Sequence, residues 1–243
     1  MKLGIMQPYF LPYLGYFDLI CRTDQWIVFD TPQYIRHGWV NRNRILHPQQ
    51  GWQYIKVPLA KHARETPINQ IKIAEPDQWH ARVLSQLQHY KKLGRYFSET
   101  YTFLQDALQV STDSLAELNV HLLDEVCQHI SIPFRWRRFS EMQLELGPIH
   151  GPGDWALRIC EAVGATEYVN PPGGASLFDV AAFERHGIRL QIQAYTPPEY
   201  DTRQYTFEPG LSIVDVMMWC HPTEIRQFLM ADTPTREVSH STE

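Results

Sequence analysis

Several features that usually declare a function class are scarce or missing in this chain. Its four cysteines, Cys21, Cys127, Cys160 and Cys220, are scattered over 243 residues with no CxxC pair. That spacing argues against a disulfide framework and against zinc, and it reads as reduced thiols in a cytoplasmic protein. Basic excess is lacking too: 22 Lys and Arg against 27 Asp and Glu give a net charge of -5 and a pI near 6.1. No bulk electrostatic drive toward nucleic acid or an anionic membrane follows from that balance. No apolar run approaches the roughly 18 to 20 residues of a membrane span, and the stretch from Met1 meets Gln7-Pro8 too soon for a signal-peptide core. GxGxxG and the P-loop pattern are absent, as are a nucleophile elbow, a catalytic Cys–His arrangement and any metal-type histidine spacing. Internal repeats and low-complexity tracts are also missing.

What is present is 44% hydrophobic residues, enough to bury a core of globular size. Residues 3–6 are a short apolar run ended by Gln7-Pro8, as expected of a buried strand opening into a turn. Leu14, Phe17 and Ile20 then mark an amphipathic helix, and Trp26 to Phe29 a second strand ended by Asp30. Residues 53–59 and 71–73 read as further strands. From Pro76 the pattern turns helical, with helices expected near 79–90, 97–109 and from 113, the last with caps among Ser111 to Asp113 and a stop at Ile132-Pro133. Alternation returns with a helix at 154–163, a strand at 166–169, a helix at 176–185, a strand at 188–193 and a helix from 212. The expectation is an α/β fold: a layered, mostly parallel sheet with a helical middle segment. Residues 1–230 would form a single domain with a helical insertion at about 76–130, followed by a polar, flexible tail at 231–243.

Chemistry concentrates at two places. Directly after the first strand, Gln7, Tyr9, Gly15 and Tyr16 stand where open parallel sheets bind ligands. They either line a cleft, with Gly15 allowing close approach, or pack the first turn. The second place is Asp30 and Gln33, followed by Asn41, Arg42, Asn43 and Arg44. These offer forked donors and amides to a phosphate or carboxylate. The alternative is a surface hairpin with both arginines on one side, paired with acids, and the asparagines in turns. Asp30 is the candidate general base, and Lys56, in an aromatic strand, either meets an anion or faces water. Farther on, Tyr200, Gln204 and Asp215 are further binding candidates, though Ser212 and Asp215 also suit a helix start. Asn170 to Ser176 either cradles an anion or is a plain turn between strand and helix.

Taken in order, Gln7-Pro8-Tyr9, Pro12, Gly15-Tyr16-Phe17, Asp30, Gln33-Tyr34, Trp39, Asn41-Arg42-Asn43, Trp52, Val57-Pro58, Trp79, Tyr96-Phe97, Leu118-Asn119, Tyr168, Gly187-Ile188 and Leu211-Ser212-Ile213 with Asp215 resemble the WbqC-like family of bacterial proteins, over roughly residues 3–220. The resemblance implies a role in surface-polysaccharide, O-antigen type, or related glycan-precursor synthesis, such as acyl or aminoacyl transfer to a nucleotide-linked amino sugar. The resemblance leaves the cofactor open, with a nucleotide and magnesium as the candidate; a small molecule, such as a nucleotide-linked sugar, is the partner to expect, and nucleic acid is not. A non-catalytic module binding the same sugar, or a pathway protein, is the alternative. Asn170-Pro171-Pro172-Gly173-Gly174 and Cys220-His221-Pro222 depart from the family pattern. Pro12 to Tyr16 stands where nucleotidyltransferase-like folds carry HxGH, without the histidines.

Overall fold

A computed structural model of the protein describes residues 1–231 and the backbone of Arg236 and Glu237. Strands β1 (Lys2–Met6), β2 (Gln25–Val28), β5 (Trp136–Arg138), β6 (Glu167–Asn170) and β7 (Arg189–Ile192) form a parallel sheet in the order β5-β2-β1-β6-β7. At its edge, β8 (Arg236–Glu237) pairs antiparallel with β7. The rest of the expected tail lies outside the described residues. Strands β3 (Arg42–Leu46) and β4 (Trp52–Lys56) form a separate antiparallel hairpin.

Each central strand alternates between two cores, as a sheet covered on both faces requires. Leu3, Ile5 and Ile27 pack against α5 (Asp154–Val163) and α6 (Val180–Arg185). Trp26, Val28 and Val169 join the larger core on the other face, with α1 (Leu14–Cys21), α4 (Leu115–His129) and α7 (Ile213–Trp219). The chain leaves β1 toward β2 on one side and later returns from β5 to β6 on the other. The strand order therefore reverses at β1, and in such sheets ligands are bound beyond the carboxyl ends of the strands at that point.

The α/β expectation holds, with differences that have physical reasons. Helices α2 (Trp79–Gln86), α3 (Phe97–Ala107) and α4 occupy the helical middle. Ser114, not a residue of 111–113, caps α4, its Oγ accepting from the Glu117 amide. Ile71 to Ile73 makes only isolated bridges, Ile73 to Leu59 and Lys72 to Ser114. Strand β5 escapes a periodicity reading because Trp-Arg-Arg at a sheet edge carries no alternation. Residues 176–185 split into a 3-10 turn and the short α6, and α8 (Pro222–Met230) follows α7. The four cysteines are free thiols.

The segment 8–12 that follows β1 is irregular and mostly buried, contains Pro8 and Pro12, and holds Leu11 at a φ of 42°. Its carbonyls need partners from elsewhere. Asn119 Nδ2 of α4 donates to Pro8 O at 2.8 Å and to Val40 O at 2.7 Å. Asn43 Nδ2 donates to the carbonyls of Phe10 and Leu11 at 3.1 and 3.0 Å. Ser212 Oγ donates to Leu11 O at 2.7 Å, and the Ile213 amide to Pro12 O at 2.8 Å. Three distant parts of the sequence are thus tied to one strand end. Replacing Asn119 by Ala should strand two buried carbonyls and lower stability by about 2 to 4 kcal/mol, measured as the urea unfolding midpoint. An unchanged midpoint would contradict this role.

Candidate functional site

The hairpin's alternation sorts its polar residues. Asn43, Ile45 and Ile55 are buried toward the core, while Arg42, Arg44, Tyr54 and Lys56 lie on its outer face. Arg42 and Arg44 do point to one side, but aromatic rings rather than acids receive them. The Arg42 guanidinium sits 4.2 Å above Tyr54, and Lys56 Nζ is 5.3 Å from the same ring. Arg44 lies between Trp39 and Trp52 at 5.3 and 5.1 Å. Arg42 also donates to the backbone carbonyls of Gly38 and His37, the latter residue having a φ of 65°. Asn41 forms no turn: its Oδ1 accepts from Tyr34 Oη at 2.7 Å and its Nδ2 donates to Val57 O at 3.0 Å.

Against this face opens a cavity of about 800 Å³, whose walls include Asn41, Arg42, Tyr54, Lys56, Lys61 and Arg82. A second, of about 820 Å³, is lined by Gln7, Pro32, Gln33, Ile35 and Arg64 where the chain leaves β1 and β2. Tyr34, Arg36 and His62 line both, so the cavities abut. Together their walls carry six Arg and Lys side chains, Arg36, Arg42, Lys56, Lys61, Arg64 and Arg82, and no Asp or Glu. Of the six, only Arg82 pairs with a carboxylate among the described residues, Glu75 at 3.2 Å. In a chain of net charge -5, that is a local concentration of uncompensated positive charge. His62 Nδ1 donates to Ala63 O at 2.9 Å, and its ring stands edge-on to Tyr34 at 5.3 Å.

Of the residues singled out from sequence, Gln7, Gln33, Asn41, Arg42 and Lys56 meet at these cavities. Others do not. Asp30 is wholly buried, its carboxylate accepting from the Ser140 amide at 3.1 Å and the Ser140 hydroxyl at 2.6 Å, which joins the ends of β2 and β5. Gly15 makes room for rings rather than for a ligand: a Cβ there would lie 2.3 Å from Tyr13 and 2.7 Å from Tyr195. Tyr16 is buried, donates to Gln7 O at 2.9 Å and packs against Tyr9 and Trp26. Asn43 serves the buried segment after β1, Arg44 reaches Gly210 O at 3.3 Å, and Gln204 is exposed. Tyr200 and Asp215 belong to a buried cluster: the Asp215 carboxylate accepts from Tyr200 Oη at 2.8 Å, from Tyr90 Oη and, at 3.4 Å, from the Leu46 amide. In the turn after β6, a Cβ at Gly174 would lie 2.4 Å from Asn170 Nδ2, so the side chain of Asn170 fills it. The basic cavity residues missed from sequence are Arg36, His37, Lys61, His62, Arg64 and Arg82, and the rings of Tyr34 and Tyr54 were missed as well. The basic run Lys61-His62-Ala63-Arg64 was the available signal.

Among the described residues, no group of three or more His, Cys, Asp or Glu side chains could hold a metal ion, and no helix is long and apolar enough to cross a membrane. The fold and the site define a doubly wound α/β protein with a cation-lined cleft beside the ends of its first two strands. The chain belongs to the WbqC-like protein family, whose model matches residues 7–227. It is similar, at 30% identity over 224 residues covering 89% of this chain and 92% of the relative, to a protein of Mycobacterium tuberculosis (strain ATCC 25618 / H37Rv) named "Uncharacterized protein Rv1507c". No solved structure matches the chain.

Burial pushes the Asp215 carboxyl up to about 6 from 3.8, against the opposing hydrogen bonds from Tyr90 and Tyr200. The unfolded chain therefore ionises this group first, and the native state loses stability as pH rises from about 4 to about 6, by roughly 3 kcal/mol in total. Urea midpoints of the wild type and Asp215→Asn, compared at pH 4 and pH 6.5, should show the larger decline with pH in the wild type. Parallel pH dependences would remove Asp215 as its source.

Proposed function

We propose that the protein is a cytoplasmic transferase of surface-polysaccharide or related glycan-precursor synthesis, and that its cleft holds the phosphate groups of a nucleotide-linked sugar. The observation that carries this reading is the set of five cationic side chains, Arg36, Arg42, Lys56, Lys61 and Arg82, on the walls of the hairpin cavity, which hold no carboxylate. A unit charge about 4 Å from a phosphate oxygen contributes between about 1 kcal/mol in water and about 4 kcal/mol near a protein surface. Arg42 is already oriented by Tyr54 and two carbonyls, so little side-chain freedom is lost when it binds. Tyr54 and Tyr34 supply flat apolar surface for a sugar or base. The WbqC-like resemblance supplies the glycan setting. Within this reading the proton acceptor for an attacking amine or hydroxyl is a group of the cleft rather than Asp30, whose oxygens are both engaged by Ser140. The lysines and histidines on the walls of the hairpin cavity are His37, Lys56, Lys61 and His62.

The second reading, a module that binds the same sugar without chemistry, is favoured by the lack of any carboxylate base on the cavity walls. A thermal-shift series with ATP, CTP, UDP-sugars and dTDP-amino sugars, each with and without magnesium, tests both. At least one nucleotide should raise the melting temperature, and the Arg42→Ala variant should bind it about 10- to 100-fold more weakly. Binding should also weaken as salt rises. Turnover with an acyl or aminoacyl donor separates transferase from module, and no shift with any nucleotide would overturn both readings.

A further inference from the structure

The two cavities differ in chemistry as well as position. Four cations face the hairpin cavity alone, Arg42, Lys56, Lys61 and Arg82, beside the ring of Tyr54. The cavity at the strand ends has one cation of its own, Arg64, and shares Arg36. Its remaining surface combines the carboxamides of Gln7 and Gln33 with Pro32 and Ile35, a side chain left 61% exposed. Ile35 thus gives the cavity shared by Arg36 and Arg64 an apolar wall. The cavity suits a small organic acid, whose carboxylate meets the arginine forks and whose aliphatic body lies on the apolar wall. Gln33 Nε2 donates to Arg64 O at 2.9 Å, which anchors the backbone from which that arginine projects.

Resting on the nucleotide-sugar reading of the hairpin cavity, we infer that the cleft is bipartite: the strand-end cavity is a separate subsite for a carboxylate-bearing aliphatic molecule. Both subsites fill at once, on either side of the wall formed by Tyr34, Arg36 and His62. Tyr34 is rigid in that wall, since it is 6% exposed and its hydroxyl is held by Asn41. The shared Arg36 lies within reach of both ligands, so the two anions are accommodated by one cation between them. Such an arrangement holds two small molecules side by side.

The test is ligand-observed NMR on the full chain with UDP and 3-hydroxybutanoate as probes, using 3-hydroxybutanamide as the uncharged control. The wild type should bind both anions together, with the amide silent. Arg64→Ala should weaken the carboxylate probe by about tenfold or more, the loss of one charge-assisted contact, while leaving UDP unchanged. Arg42→Ala should do the reverse. Ile35→Asp, at a side chain exposed enough to spare the fold, should abolish carboxylate binding by like-charge repulsion. Displacement of the carboxylate by UDP, or carboxylate binding indifferent to Arg64 and Ile35, would overturn the bipartite site and leave the nucleotide reading standing. Carboxylate binding that depends on Arg64 without any UDP binding would support the strand-end subsite and overturn the nucleotide reading instead.

Discussion

The carbonyl groups of residues 8–12 are the point on which the rest of the molecule turns. A buried, irregular stretch containing two prolines cannot satisfy its own backbone, and unpaired buried carbonyls are costly. Asn119 from α4, Asn43 from β3 and Ser212 at the start of α7 each spend a side-chain donor on it. Because those donors come from parts of the chain far apart in sequence, pairing them also sets where the hairpin stands relative to β1. The hairpin in turn forms one wall of the cleft. The position of the cation-lined surface is therefore a consequence of backbone accounting several residues away from it.

Charge in this protein is partitioned rather than balanced. Two acidic side chains near the cleft elements, Asp30 and Asp215, are fully buried and spent on hydroxyl and amide donors. The basic side chains of the hairpin and the following loop remain on the surface facing the cavities. In the hairpin, Arg42 lies over Tyr54 and Arg44 between Trp39 and Trp52, neither paired with an acid among the described residues. A guanidinium over a ring face is attracted by the ring's quadrupole and so held in place. A net charge of -5 therefore coexists with a strongly positive cleft, which the average conceals.

The polar residues that stand out in the sequence divide by role. Asn41, Asn43, Arg42 and Arg44 read as one cluster of forked donors, yet strand geometry sends Asn43 inward to serve backbone and leaves Arg42 and Arg44 outside. Even those two part company, since Arg42 lines the cavity while Arg44 lies between Trp39 and Trp52 and contacts Gly210. Tyr16 and Gly15 belong to the packing of α1, and Tyr200 with Asp215 to a buried network. Proximity in sequence at a strand end is a guide to where a site lies, but not to which side chains enter it.

Local pattern alone determined the parallel strands β1, β2, β6 and β7, the main helices and the ordered combination of residues shared with the WbqC-like family, because periodicity and turn residues act over short distances. It also located the region of the cleft, through Gln7, Gln33, Asn41, Arg42 and Lys56. Tertiary structure decided the rest: that β5 completes the sheet edge, that Asp30 pairs with Ser140, and that Arg36, Lys61, His62, Arg64 and Arg82 face the cavities with Arg42. Those residues carry no periodic signature, and their shared electrostatic effect exists only because the pairing of buried backbone carbonyls with remote side chains folds the hairpin and its following loop over the strand ends.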